Sequence, residues 1–281
     1  MDWSKAKTIL IIAFIVTNIV LGYALFNSQR IDEPTLKEDF ITDVAKLLKE
    51  KDITLNTAIP KEIPSLGIMT VEYEQRTPGD LNKSFFNNTA EGVTVNEGVV
   101  LFEKGKEKLI VTDGKNILYL NDDEEEKYPS LDKEEAIYIS KKFLEEKGFS
   151  KDDMKLTFQK ESNGVFFLEY SKVYNGIYIE KSYTNFQIDK RGVKRFERLW
   201  LNEEKLSENK IYISTAPKAI LTLLTMENIY GKTIDDISLC YYFDPVKHKE
   251  VDEPEKTKQG KAVPAWRIQF SDGNEVILDE Y

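Results

Sequence analysis

Residues 130–149 read SLDKEEAIYISKKFLEEKGF, and four β-rich segments follow: LTFQKES (156–162), GVFFLEYSKVY (164–174), IYIEKSYTNFQID (177–189) and VKRFERLWL (193–201). In the first stretch Ile137, Phe143 and Leu144 recur at helical spacing, Asp132 or Ser130 can cap the start, and Gly148 marks the end. The four later segments are separated by Asn163-Gly164, Asn175-Gly176 and Lys190-Arg191-Gly192. Tight turns of this kind need a positive φ, which glycine adopts without steric cost, so adjacent strands are predicted to fold back as an antiparallel meander. One helix laid across that sheet buries the apolar faces of both.

Further along, STAPKAILTLLTMENIYG (214–231) predicts a second helix, with Pro217 in its first turn and Gly231 at its finish. ISLCYYFDPV, AVPAWRIQF and NEVILDEY then read as strands, with Asp272-Gly273 closing the last hairpin. The same order of elements thus begins at Ser130 and again at Ser214, which reads as a structural repeat without evident sequence identity. The charged stretch HKEVDEPEKTKQGK reads as a loop.

Towards the amino end, PTLKEDFITDVAKLLKE (34–50) sets Leu36, Phe40, Ile41, Val44, Leu47 and Leu48 three and four residues apart, an amphipathic helix whose stripe suits core packing. GIMTVEYE, GVTV, GVVLFEK, EKLIVTD and NILYLND read as strands, with Asp113-Gly114 as a hairpin turn. QRTPGDLNKSFFNNTAEG reads as a long loop, and NDDEEEKYPS as the junction between modules. The acidic run Asp122 to Glu126 lacks the alternating ligand spacing of a calcium loop and reads as solvated linker.

Thr8 to Phe26, TILIIAFIVTNIVLGYALF, is nineteen residues without a charge. As a helix it spans roughly 28 Å, about the hydrocarbon thickness of a bilayer. Lys5 and Lys7 precede it, which places the amino end on the cytoplasmic side. A cleaved signal peptide is the competing reading, but the run exceeds the usual apolar core and lacks a small-x-small cleavage site before Asn27. The expected organisation is a cytoplasmic tail (1–7), a single transmembrane helix (8–26), a first extracytoplasmic helix-plus-sheet module (27–128), and a second (129–281) built of two units, 129–210 and 211–281. The fold class is α+β: one membrane helix followed by antiparallel sheet modules, each packed with a helix.

Within the apolar run, Asn18 is a lone amide near the bilayer centre, with Gly22 one turn later on the same face. Two readings stand: a contact with another membrane helix, or a tolerated passenger. No cofactor or metal is expected. The single histidine, His248, lies between two lysines in the charged loop, and the single cysteine, Cys240, lies in SLCYYF, where burial in a strand is the simplest reading. With one of each, zinc sites on nitrogen and sulfur ligands are excluded, as is an intrachain disulfide. There is no G-x-S-x-G, H-E-x-x-H or phosphate loop. Trp200, Tyr241, Tyr242 and Trp266 fall in strands, where such rings pack a core. The sequons at Asn82 and Asn87 carry no expectation of glycosylation.

The chain has 39 basic and 49 acidic side chains; beyond the first 26 residues 37 stand against 48, a net of −11. Nucleic acid and anionic lipid headgroups reward positive charge, so neither is the expected partner. A protein-facing surface is.

The opening MDWSKAKTILIIAFIVTNIVLGY, a Trp-bearing tail running into an apolar helix with a central Asn, resembles the start of the YycI family, as AVPAWRIQF and the final VILDEY resemble its close. The helix-plus-meander units between them also look like PepSY-type modules. The resemblance implies a non-enzymatic, single-pass accessory protein of the Gram-positive cell membrane that works with a YycH-type protein. Together they would regulate the WalK (YycG) sensor histidine kinase of cell-wall metabolism. It places Asn18, Gly22 and Thr17 at the contact with the kinase's membrane helices and leaves the YycH-facing surface unassigned. The alternative is a PepSY-like inhibitor or chaperone of an envelope protease or cell-wall hydrolase, tethered by the same anchor.

Overall fold

The computed structural model describes residues 38–246 and 257–279, together with Phe14, Thr17, Asn18 and Leu21. The elements run α1 (Glu38–Glu50), β1 (Thr54–Leu55), β2 (Ser65–Tyr73), α2 (Pro78–Phe86), β3 (Glu91–Asn96), β4 (Val99–Lys104), β5 (Glu107–Thr112), β6 (Asn116–Asn121) and α3 (Lys133–Glu146). Then follow β7 (Met154–Ser162), β8 (Val165–Tyr174), β9 (Ile177–Asp189), β10 (Gly192–Leu199), β11 (Leu201–Tyr212), α4 (Ala216–Ile220), two 3-10 turns, β12 (Thr233–Tyr242), β13 (Gln259–Phe270) and β14 (Glu275–Leu278).

The fold is mixed α+β, with few helices and one large, mostly antiparallel sheet. Among the described residues fourteen strands form a single hydrogen-bonded sheet, whose longest path is β11-β2-β13-β12-β9-β10-β6-β5-β4-β3. The predicted meander is present: β7, β8, β9 and β10 pair antiparallel in sequence order. Asn163, Gly164, Asn175 and Gly176 all take the positive φ that two of its turns require. Two contacts are parallel, β9 with β12 and β1 with β12. Because β2 pairs with β11 and β13, and β6 with β10, the ladder runs across the junctions expected at 128/129 and 210/211.

One core lies between α2, α3 and the sheet. Asp132 Oδ1 accepts from the Glu135 amide at 2.8 Å and so starts α3, which presses Phe143 and Leu144 onto the strands. Phe143 stands 5.1 Å from Phe196 and meets Phe186 edge-on, ring geometries that add to simple burial. A second core packs Val44 and Leu48 of α1 against Ile220, Leu223, Ile234, Trp266 and Phe270. Only part of the α1 stripe turns inward. Phe40 and Leu47 are 37% and 41% exposed, because burying Val44 and Leu48 points those two aside.

Pro264 lies inside β13, where a missing N–H would normally break a ladder. The strand tolerates it because its second edge is shared: β2 pairs with 259–262 and β14 with 266–269, leaving Pro264 in the gap.

Two expectations are corrected. The presumed loop 75–92 contains α2: Thr77 Oγ1 accepts from the Asp80 amide at 3.1 Å, Pro78 opens the first turn, and Leu81, Phe85 and Phe86 are buried. Gly79 and the Asn residues around this short helix mask its period. Conversely, 214–231 is not one helix but five residues of α4 followed by 3-10 turns at Leu221–Thr225 and Glu227–Ile229. Thr222 and Thr225 offer side-chain alternatives to helical hydrogen bonding, and the Thr225 hydroxyl does donate to the Thr222 carbonyl at 2.8 Å.

Candidate functional site

The apolar run 8–26 lies outside the described residues except at four positions, and Gly22 is among those not described. Asn18 and Thr17 are helical and exposed. Asn18 Nδ2 donates to the Phe14 carbonyl, one turn back, at 2.8 Å. An amide has two N–H donors and an acceptor oxygen, so that bond leaves capacity for a neighbouring helix. Among the described residues no helix is long and apolar enough to cross a membrane. His248 also falls outside the described residues.

The charged centre of the described fold is one that local periodicity does not announce. Arg267 on β13 has a fully buried side chain and is surrounded by acids. Its Nε lies 2.9 Å from Glu180 Oε1 on β9, Nη2 pairs with Glu275 on β14, and Nη1 is 3.5 Å from Asp236 on β12 and 3.1 Å from Gln269 Oε1. The Glu180 contact is electrostatic, for neither Nε nor Oε1 has hydrogen-bond geometry to any partner. The Arg267 guanidinium also sits 4.6 Å over the Tyr178 ring. Burial opposes its charge, but Glu275 and Glu180 outweigh that and hold its pKa above the ordinary value.

The strand register explains this convergence. Ser238 faces Arg267, Cys240 faces both Ala265 and Tyr178, and Glu275 faces Gln269, so alternate residues of β9, β12, β13 and β14 share one face. The opposite face carries Trp266, Ile268 and Phe270 into the second core. Above the charged centre, β9 bends. The β8–β9 register slips between Ser171 and Lys172, and Lys181 takes a left-handed φ of 64°. In the crook lies a pocket of about 220 Å³ lined by Glu169, Glu180, Lys181, Tyr242 and Glu275. Burial pushes the Glu169 carboxyl up to about 6, with Glu275 adding to it and Arg267 opposing. Cys240 is fully buried beside this centre, and burial pushes its thiol well above the ordinary range. Among the described residues no three His, Cys, Asp or Glu converge as a metal cage.

Sequence reasoning passes over this centre because Arg267 and Glu275 are isolated charges in largely apolar strands, and Glu180 is followed at once by Lys181, so that it reads as part of an ordinary surface pair. The signal was a charge at an inward register position; it becomes visible only once pairing is known.

The remaining candidates are surfaces. Strand β3 ends the sheet, and all six of its residues are exposed, Val93 and Val95 at 59% and 53%. At the other end, β11 flanks a largely apolar groove containing Leu66, Tyr174, Ile177, Leu206 and Tyr241.

The YycI protein family model matches residues 29–281. The chain belongs to the YycI family. Membership implies a regulatory role in the YycG/WalK two-component system, and the YycI family is a family of regulators rather than a known enzyme family. No curated protein matches the chain. Among solved structures, an uncharacterized protein from Eubacterium rectale aligns over 82% of this YycI chain and 89% of its own, with a TM-score of 0.51 and 12% identity. The Bacillus megaterium YpeB C-terminal domain aligns over 74% of this chain and 95% of its own, with a TM-score of 0.40 and 11% identity. The first likeness is one of fold alone.

Proposed function

We propose that this chain is a membrane-anchored, extracytoplasmic regulator that biases the WalK (YycG) sensor kinase together with a YycH-type protein. The family match over 29–281 carries the proposal. The nineteen uncharged residues from Thr8 to Phe26 stand just before the matched region, with Lys5 and Lys7 on the side expected to face the cytoplasm. In this reading the helix 8–26 touches the kinase's membrane helices through the face of Asn18, Thr17 and Gly22, while the sheet body docks the YycH-type partner.

A regulator shifts a two-state kinase only by binding its states unequally. One interhelical hydrogen bond in a membrane supplies about 0.6 kcal/mol on average and about 1.7 at most. Asn18 alone therefore accounts for a few-fold change in the balance, and a larger effect needs packing along the whole helix. Replacing Thr8 to Phe26 by a leucine helix of the same length should abolish control of kinase-dependent transcription while the chain stays at the membrane. Unchanged transcription after the exchange would move the contact out of the membrane and end this reading.

A further inference from the structure

We propose that Glu180 and Glu275 form a proton-held latch, in which one shared proton keeps strand β14 closed over Arg267 at the bend of β9, and its loss loosens the strand.

Arg267 faces Glu180 from β9, Glu275 from β14 and Asp236 from β12, and Glu169 from β8 lines the same pocket. Three carboxylates pair with one fully buried guanidinium, and a fourth lines the pocket beside two of them. The other charged groups do not restore balance: Lys155 of β7 is exposed and lies 4.8 Å from the centre of the Tyr178 ring, Lys181 is exposed at the pocket rim, and Asp279 beyond β14 adds further negative charge near Cys240. Asp236 is spread between Arg267 and the Ser238 hydroxyl, which donates to it at 2.6 Å. Asp236, with a 42% exposed side chain, stays in water, but Glu180 and Glu275 are largely withdrawn from it and share one cation, and the nearest relief for that excess negative charge is a proton.

Geometry decides which group holds it. Glu180 is 8% exposed, deepest of the four, and burial pushes it up to about 8, with Glu275 adding to the rise and Arg267 opposing. Glu275 approaches the same guanidinium, at Nη2 where Glu180 takes Nε, and is also raised, chiefly by burial. A neutral Glu180 donates its proton to the Glu275 carboxylate, which accepts from Arg267 as well, so the acid pair and the guanidinium close on each other. When the proton leaves to solvent, two adjacent carboxylates compete for one cation.

The strand that must respond is weakly held. β14 has four residues, pairs on one side only with β13, and lies off the main path of the sheet. Glu275 is its first residue, next to the Asp272-Gly273 turn that lies against Phe158 of β7. The latch therefore joins the C-terminal hairpin to the meander at the point where β9 passes from one partner set to the other.

The test is hydrogen exchange on the full-length chain in detergent, at pH 6.5 and 9, with intrinsic chemical rates divided out. Amides of 275–278 should lose about tenfold or more of their protection at the higher pH, the change a one-unit proton linkage produces, while 109–111 in β5 keep theirs. Glu180→Gln, which keeps a neutral donor of the same shape, should hold β14 protected at both pH values. Flat protection in the natural chain, or the same loss in Glu180→Gln, would overturn the latch. Should that variant fail to fold, a carboxyl NMR titration of Glu180 in the natural chain decides: a midpoint of 7 or above supports the latch, and any lower midpoint refutes it.

Discussion

The Tyr170 hydroxyl and the Ser140 Oγ stand 2.7 Å apart in the buried interface between β8 and α3. Ser140 is also 2.8 Å from the Ile137 carbonyl, to which its single proton goes, so Tyr170 donates to Ser140. Tyr170→Phe should cost about 1 kcal/mol. That corresponds to a melting temperature lower by about 2–4 °C for a fold of this size, readable by calorimetry. Ser140→Ala should cost more, because it strands the tyrosine hydroxyl inside the core.

Arg198 is a second buried cation, and unlike Arg267 it is not outnumbered by acids within reach. Its Nε donates to Glu74 at 2.7 Å, Nη1 donates to Thr184 at 2.8 Å, and the guanidinium stacks 4.1 Å from Trp200. Glu74→Ala should destabilise the fold by about 3 kcal/mol, since it leaves that charge without its carboxylate. Glu74→Gln, which keeps an acceptor, should cost less. Urea midpoints of the two variants separate the charge from the hydrogen bond.

Gly67 of β2 lies under the irregular part of β11, where the register jumps from Leu206 to Lys210. A Cβ at position 67 would run into the Ser207 carbonyl. Gly67→Ala should therefore cost about 1–3 kcal/mol and lift the second half of β11. Faster amide exchange at 207–212, with 109–111 unchanged, is the expected readout.

Acidity should stabilise the whole chain above pH 5. Glu169 at about 6 and Glu180 at about 8 both sit above the ordinary 4.5 of a free glutamate. The folded chain thus keeps protons that the unfolded chain has released. The stability these two groups contribute is full below about 4.5 and declines as pH climbs through 6 and then 8. The urea midpoint should be higher at pH 5.5 than at 8.5, and the gap should shrink in Glu180→Gln. An equal or reversed gap in the natural chain contradicts the assignment.

What the sequence reveals is local. The Asn-Gly turns announce the meander, Asp132 announces α3, and Trp200, Trp266 and Cys240 are placed in the core by the apolar strands that carry them. What it conceals is pairing between distant strands. Nothing in the period of GIMTVEYE says that its neighbours are β11 and β13, because a two-residue repeat fixes which side chains share a face and leaves the partner open. β11 escapes notice for a related reason: as an edge strand with most residues exposed, LNEEKLSENKIY has no apolar face to show. The Arg267 centre depends on both kinds of information.

The position of β2 between β11 and β13 also sets a timetable for the newborn polypeptide. A chain made from its amino end at about 5–20 residues per second offers β2 early and β13 among the last segments, an interval on the order of ten seconds or more. Until β11 is made β2 has neither flank bonded, and from then until β13 follows one flank stays open; an unbonded strand edge invites any other extended chain nearby. Whatever escorts this protein during synthesis has its task defined by that wait: keeping Ser65–Tyr73 single until its late neighbours arrive.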